Sequence, residues 1–138
     1  MPIKSEVIAN PKSERVRRVS ELADRKGRKR SGRFMVEGPQ SVRELLTWHP
    51  GLVEDLYVEV ESAQPDASFA TPAVAQMAGK AMQSGVYVHK VTHAVMHRMS
   101  VDAQGVLAVA DMQAFLDSSA VPDDFDGHAM VAAFWQVR

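Results

Sequence analysis

The sequence contains no cysteine among its 138 residues. Disulfides, zinc sites built on thiolates and a cysteine nucleophile are therefore excluded. The sequence has no run of 18 apolar residues, so it predicts no membrane-spanning helix and no membrane partner. The first ten residues lack the apolar core of a signal peptide, and we expect a cytoplasmic protein.

Familiar catalytic and nucleotide-binding motifs are also missing. Neither GxGxxG nor GxxxxGK occurs, and no serine lies in a nucleophile elbow. His93 and His97 are four residues apart on a predicted helix, but Ala94 stands where a zinc metalloprotease needs Glu. Histidines at the surface or half-buried explain this spacing better than a metal site, so we predict no metal.

Charge is distributed unevenly along the chain. Residues 1–33 contain 11 Lys and Arg against 4 acids, a formal charge of +7, whereas the remaining residues carry −8. Such asymmetry indicates a polyanionic partner for the basic end. A membrane surface is the competing polyanion, but this segment lacks the aromatic and Leu-rich face of an interfacial helix.

The densest basic run is residues 25–38, RKGRKRSGRFMVEG. Lys and Arg neutralise phosphates, and Arg adds planar contacts to phosphate and stacking on exposed bases. The alternative is a solvated surface face with Glu partners, although no acid lies between Lys26 and Arg33. We predict a nucleic-acid-binding site, for RNA or DNA, formed by Arg17, Arg18, Arg25, Lys26, Arg28, Lys29, Arg30 and Arg33.

Glu37 ends the apolar part of this run, beside Gly38. Its carboxylate could serve as an acid–base group or could pair with a basic neighbour such as Arg33, and we favour the pairing. No other grouping resembles a complete active site, so we predict no catalytic residue in this chain.

Apolar periodicity predicts an α/β layered sheet. A helix is expected from Asn10-Pro11 to Gly27, followed by a basic turn over 28–32. A strand is expected over 33–37, with Phe34 and Val36 on one face and Met35 on the other. Further strands are predicted at 56–60, 86–88 and 105–110, and further helices at 39–50, 72–83 and 92–99.

Two separate stretches carry a family resemblance. Residues 10–46, NPKSERVRRVSELADRKGRKRSGRFMVEGPQSVRELL, resemble the N-terminal substrate-binding domain of SpoU (TrmH-type) RNA 2′-O-ribose methyltransferases. Residues 99–112, MSVDAQGVLAVADM, resemble the close of that domain, although Asp102-Ala103 replaces a Thr-Pro-like pair. The resemblance implies a three-layer α/β/α sandwich similar to kink-turn-binding ribosomal proteins.

The resemblance also implies a domain organisation. Residues 1–116 would be the RNA substrate-binding domain, 117–128 a linker, and 129–138 the first strand of a SPOUT methyltransferase domain that is otherwise truncated. Residues 129–137 would then be an exposed apolar edge that is disordered, folded back or paired with another molecule. The catalytic motifs and the S-adenosylmethionine site would belong to the missing part, so this fragment would bind no cofactor.

The function implied is substrate recognition for a methyltransferase that uses S-adenosylmethionine and dimerises through the missing domain. RNA is the expected partner, with rRNA preferred over tRNA. The alternatives are a stand-alone, non-enzymatic RNA-binding or ribosome-associated protein, and an interaction domain whose basic arm binds an acidic protein. The motif Asn-x-Gly-x-x-x-Arg directly after Arg138 would support the methyltransferase.

Overall fold

A five-stranded mixed sheet forms the middle layer of the protein in the computed structural model, which describes residues 3–119. The sheet has the strand order β1-β4-β3-β5-β2. Neighbours β1, β4 and β3 are parallel, whereas β5 is antiparallel to both β3 and β2. The strands are β1 (Ile3–Ile8), β2 (Arg33–Glu37), β3 (Val53–Glu59), β4 (Tyr87–Val91) and β5 (Val106–Asp111).

Helices cover both faces of this sheet. Short 3-10 helices at Glu21–Ala23 and Pro50–Leu52 supplement them. No helix within residues 3–119 is long and apolar enough to span a membrane. The helices are α1 (Glu14–Ser20), α2 (Arg25–Ser31), α3 (Pro39–Trp48), α4 (Pro72–Gln83), α5 (His93–Met99) and α6 (Met112–Ser119).

Alternation along the strands produces two apolar cores. Phe34 and Val36 of β2 pack in the cluster that includes residues of α3 and α4. Met35 lies in the cluster on the other face, with residues of α1 and α5. Side chains of a strand point alternately to its two faces, so each strand can contribute to both cores. The predicted α/β/α sandwich and the two faces of β2 are confirmed.

The first predicted helix is wrong in its bounds. Asn10 does not cap it; its side-chain oxygen accepts from the Lys12 amide at 2.9 Å and closes a turn. Ser13 is the cap, with its hydroxyl accepting from the Val16 amide at 3.3 Å. The helix ends at Ser20, because the chain tightens into the 3-10 helix Glu21–Ala23.

Strand β1 was not predicted, and β4 is longer than expected. Strand β1 pairs with β4 at the edge of the sheet, and its polar residues Lys4 and Glu6 are exposed. Strand β4 extends to Val91 because its polar residues find partners inside the fold: His89 contacts Asp55, and the Lys90 amine donates to a backbone carbonyl.

Helix α6 extends into the predicted linker, since residues 117–119 belong to this helix. The rest of the predicted linker, up to residue 128, and the predicted strand at 129–138 lie outside the described residues.

Candidate nucleic-acid interface

Helix α2 occupies the segment that was predicted to be a basic turn. Asp24 caps it, since its carboxylate accepts from the Gly27 amide at 2.9 Å. Gly32 ends it in the left-handed conformation, with φ of 73°, which glycine adopts without steric cost. The prediction that Gly27 ends the preceding helix is therefore wrong, because the Asp24 cap starts a new helix around it.

Gly27 is where α2 meets the preceding 3-10 helix. A Cβ atom at this position would lie 2.0 Å from the Glu21 carbonyl oxygen. Only glycine permits so close a backbone approach. The approach brings α2 against Glu21–Ala23, where Glu21 contacts both Arg17 of α1 and Arg30 of α2.

Three cations of α2 are available for an external anion. Arg25, Lys26 and Lys29 are exposed, and none of them forms an ion pair with any residue in the 3–119 range. Arg25 and Lys29, with Arg28 and Met112, line a depression of about 530 Å³ between α2 and the start of α6. Exposed, unpaired cations of this kind supply the electrostatic affinity for phosphates.

Arg28 has a structural role that the sequence did not reveal. Its guanidinium donates to the carbonyl oxygens of Leu22 and Ala23, at 3.1 and 3.2 Å. These carbonyls belong to the 3-10 helix, so Arg28 fastens α2 to it. Of the predicted RNA-binding residues, Arg28 is thus already engaged in holding the surface together.

Three more predicted residues form surface ion pairs. Arg17 contacts Glu21 at 2.8 Å, Arg18 contacts Glu14 at 3.1 Å, and Arg30 reaches Glu21 at 3.6 Å. Exposed pairs of this type contribute only about 0–1 kcal/mol. The arginines can therefore exchange these partners for phosphate at little cost.

Arg33 pairs with Glu54 rather than with Glu37, which corrects the preferred partner of Glu37. The Arg33 Nε donates to Glu54 Oε1 at 2.5 Å. This hydrogen bond and the charge of Glu54 raise the pKa of Arg33, so its guanidinium stays charged. Glu37 instead accepts from the hydroxyl of Ser100, the residue that follows α5.

A second cavity lies beside this basic surface and was missed by the sequence reasoning. It has a volume of about 290 Å³, between α1 and the sheet. The Arg15 guanidinium donates to the Tyr57 hydroxyl at 3.0 Å, which ties α1 to β3. The residues that line the cavity are Arg15, Arg18, Val19, Leu22, Ser31, Arg33, Glu54, Asp55, Tyr57 and Val109.

Asp55 is the ionised centre of this cavity. Burial alone would raise its pKa, but the hydrogen bond and charge of His89, with the charges of Arg15 and Arg33, lower the pKa below the ordinary value. His89 Nε2 lies 2.6 Å from the Asp55 carboxylate, and its ring stacks on Tyr57 with centroids 5.0 Å apart. The pKa of Tyr57 is raised, mainly by burial. The charge of Asp55 adds to this effect, whereas Arg15 partly offsets it.

A signal for this cavity was present in the sequence. Asp55, Tyr57 and His89 lie on strands where the alternate residues, such as Leu56 and Val88, are fully buried. Polar side chains on the second face of a covered strand are unusual and need partners inside the fold. The sequence did not show that α1 covers this face and supplies Arg15.

The remaining histidines do not form a metal site among residues 3–119. His93 Nδ1 lies 3.0 Å from Glu59, and its ring stacks on His97 with centroids 6.1 Å apart. No group of three His, Asp or Glu side chains that could hold a metal ion occurs in this part of the chain. His97 and Arg98 instead line a depression of about 380 Å³ near Ser100.

The protein is thus an α/β/α sandwich domain that carries a basic helix. The exposed cations of this helix form a candidate anion-binding surface. Comparison with protein families gives a more specific answer. The family model of the MRM3-like substrate binding domain matches residues 13–108, more than half of the chain. The chain belongs to this family, and its resemblance to the substrate-binding domain of SpoU enzymes is confirmed. Comparison with curated proteins found no match.

Solved structures share the fold. An RNA 2′-O ribose methyltransferase is 23% identical with a TM-score of 0.58, covering 76% of this chain and 37% of that chain. An rRNA methyltransferase from Sinorhizobium meliloti is 21% identical with a TM-score of 0.57, covering 80% and 38%. The SpoU methyltransferase AviRb from Streptomyces viridochromogenes, solved with AdoMet, is 22% identical with a TM-score of 0.53, covering 82% and 39%. The chain therefore spans less than half the length of these structures.

Proposed function

We propose that this chain is the RNA-binding, substrate-recognition domain of an RNA 2′-O-ribose methyltransferase that uses S-adenosylmethionine. The observation that carries the proposal is the position of α2. Its exposed cations Arg25, Lys26 and Lys29 lie within the matched substrate-binding range 13–108. A helix that presents unpaired positive charge is suited to the phosphates of a substrate RNA.

The proposed RNA surface consists of the basic residues predicted from the sequence. Their contacts in the structure separate them into three groups. Arg25, Lys26 and Lys29 supply free charge. Arg17, Arg18 and Arg30 exchange glutamate partners for phosphate. Arg28 and Arg33 hold the surface in shape through the carbonyl oxygens of the 3-10 helix and through Glu54. We propose rRNA as the substrate class in preference to tRNA.

The cofactor site is proposed to lie in another domain of the whole protein. The three cavities described above are open to solvent, and charged side chains line each of them. The residues lining them do not fit S-adenosylmethionine, and we assign it no ligands here. Titration of the chain with S-adenosylmethionine should therefore produce no binding heat.

Binding to RNA is the first test of the proposal. Fluorescence anisotropy with labelled rRNA fragments, tRNA and duplex DNA of equal length would compare the three polyanions at one salt concentration. The proposal predicts that RNA binds more tightly than duplex DNA, and rRNA more tightly than tRNA. Equal affinity for all three would mean that the basic surface binds any polyanion through charge alone. That result would contradict a role in recognising the substrate RNA.

Methyl transfer is the second test, and it separates an enzyme from a non-enzymatic RNA-binding protein. The intact protein that contains this chain, supplied with labelled S-adenosylmethionine and rRNA, should transfer label to a ribose 2′-oxygen. RNA binding without any transfer of label would instead establish the stand-alone, non-enzymatic function. A reading frame that continues from Arg138 with Asn-x-Gly-x-x-x-Arg would agree with the enzyme.

A further inference from the structure

The starts of β3 and β4 bring four polar side chains to one face of the sheet. Tyr87 is the register partner of Asp55, and Tyr57 is the partner of His89. Side chains two residues apart in a strand share a face, so all four lie on the side covered by α1. Adjacent strands are about 4.8 Å apart, which sets Tyr87 directly beside Asp55.

Tyr87 is the exposed member of this group. It is 55% exposed, whereas Tyr57 is 2% exposed and His89 is 7% exposed. The Lys4 amine lies 5.4 Å from the centroid of the Tyr87 ring. An exposed aromatic ring next to a cation is suited to stacking a base and contacting its phosphate.

Asp55 supplies a fixed acceptor beside that ring. Its side chain is 30% exposed and lines the 290 Å³ cavity, and His89 holds one carboxylate oxygen. Within residues 3–119, no second side chain donates to this carboxylate. Its remaining hydrogen-bonding capacity is therefore open to a ligand in the cavity.

A purely structural role explains the contacts of Tyr57 and His89 but not the exposure of Tyr87 and Asp55. The contacts from Arg15 to Tyr57 and from His89 to Asp55 tie α1, β3 and β4 together. They give no reason for an exposed tyrosine with a lysine over its ring, next to an acceptor that faces an open cavity. A ligand that stacks and donates hydrogen bonds accounts for both features.

We propose that the surface formed by the Tyr87 ring and the Asp55 carboxylate binds one unpaired nucleotide of the RNA, with guanine as the preferred base. The proposal rests on the RNA-binding function proposed above. Guanine presents adjacent N1–H and N2–H donors that match a carboxylate, whereas uracil presents a single N3–H donor flanked by two carbonyl oxygens that a carboxylate repels. Arg18 lines the same cavity as Asp55, and because its ion pair with Glu14 is exposed, it can exchange that partner for the adjoining phosphate.

The cavity of about 290 Å³ leads away from Tyr87. It begins at Asp55 on β3 and is lined by Val109 and Arg33 of the next two strands, whereas Tyr87 is not among its lining residues. The cavity reaches α2 at Ser31, the last residue of that helix. The RNA chain on either side of the bound nucleotide can therefore follow this path to the cations of α2.

The test uses RNA hairpins that share one stem and a uridine loop in which a single position is varied. The chain should bind the hairpin with guanine at that position about ten-fold more tightly than the all-uridine hairpin, since a bidentate base contact is worth about 1–3 kcal/mol. Inosine, which lacks the N2 amine, should bind with intermediate affinity. Equal affinity for guanine and uridine would overturn the proposal.

Variants identify the residues responsible. Asp55→Asn should abolish the guanine preference, whereas the control Glu61→Gln, which removes an exposed acid beyond the end of β3, should retain it. Tyr87→Ala should weaken binding of every looped hairpin and not of a blunt duplex, and Tyr87→Phe should restore it. Because Tyr87 is half exposed, both Tyr87 variants should fold even if Asp55→Asn does not.

The outcomes separate this inference from the proposed function. RNA binding that depends on the cations of α2 but shows no base preference would overturn the nucleotide site alone. A guanine preference that survives Asp55→Asn would also overturn it. Failure of every RNA to bind would overturn both proposals together.

Discussion

Gly27 is the residue on which the shape of the basic surface depends most. The Glu21 carbonyl carbon and oxygen lie 2.7 and 2.0 Å from the position of an added Cβ. Both atoms are backbone, so they cannot move aside as a flexible side chain can. A methyl group at this position must displace α2 from the 3-10 helix.

The substitution Gly27→Ala should therefore destabilise the protein by about 1–3 kcal/mol, the usual cost of overpacking. Gly79→Ala is the matched control, because Gly79 lies within helix α4 and an added Cβ meets nothing within 4 Å. The control should stabilise the protein by about 0.5–1 kcal/mol through helix propensity. Urea unfolding of both variants tests the comparison, and equal midpoints would show that the close approach at Gly27 does not exist.

Asp55 links stability to pH. The pKa of this carboxyl is lowered in the folded protein, because His89, Arg15 and Arg33 together outweigh the effect of burial. A depressed folded-state pKa contributes stability above the unfolded value of about 3.9. That contribution is lost as the pH falls from about 4 through the folded-state pKa.

The variant Asp55→Asn should accordingly differ most from the wild type at neutral pH. As the pH falls below about 4, the difference in unfolding free energy should shrink, because protonation removes the same charge from Asp55 in the wild type. Urea unfolding at a series of pH values from 7 to 3 measures this difference. A constant difference across that range would show that the charge of Asp55 does not stabilise the fold.

At the scale of elements, α2 carries the cations of the proposed interface, and its short length makes it sensitive to its cap. Asp24 is in the extended conformation and accepts from the Gly27 amide. An N-cap of this type contributes about 0.5–2 kcal/mol. The basic residues keep their spacing only while this helix stays folded.

The substitution Asp24→Ala should cost about 1 kcal/mol and weaken RNA binding, whereas Asp24→Asn should preserve both properties because its amide oxygen still caps the helix. Circular dichroism with urea unfolding measures the first effect, and RNA titration measures the second. Loss of stability without loss of RNA affinity would indicate that the cations of α2 act without the helix.

The sequence predicted some elements closely and missed others for identifiable reasons. Strand β2 was predicted at its observed bounds, because Phe34, Met35 and Val36 alternate between two cores. Helix α2 was missed because its existence depends on the cap from Asp24 and on the close approach at Gly27. A glycine in a basic run resembles a helix stop until its tertiary neighbour is known.

The candidate site was predictable only in part. Charge alone identified the basic segment, but the ion pair between Arg33 and Glu54 joins residues 21 positions apart. The contact between His89 and Asp55 spans 34 positions, and only the register of β3 with β4 brings them together. Long-range pairings of this kind are set by topology, which the local sequence pattern does not specify.

At the scale of the whole molecule, the proposed interface occupies one side of the sandwich. The helices α1 and α2 carry the basic residues on that side, whereas the opposite layer, formed by α3 and α4, carries the exposed cation Arg43 and also Lys80. Polyanion binding through net charge alone would make the two layers equivalent. Binding through a defined surface makes them different.

The salt dependence of RNA binding tests this central claim most directly. Each phosphate contact contributes about one unit to the slope of log affinity against log salt. The double variant Lys26→Ala/Lys29→Ala should reduce that slope by about two units and weaken binding at low salt. Arg43→Ala/Lys80→Ala, which removes the same charge from the opposite layer, should leave slope and affinity unchanged. Equal effects of the two double variants would contradict the account.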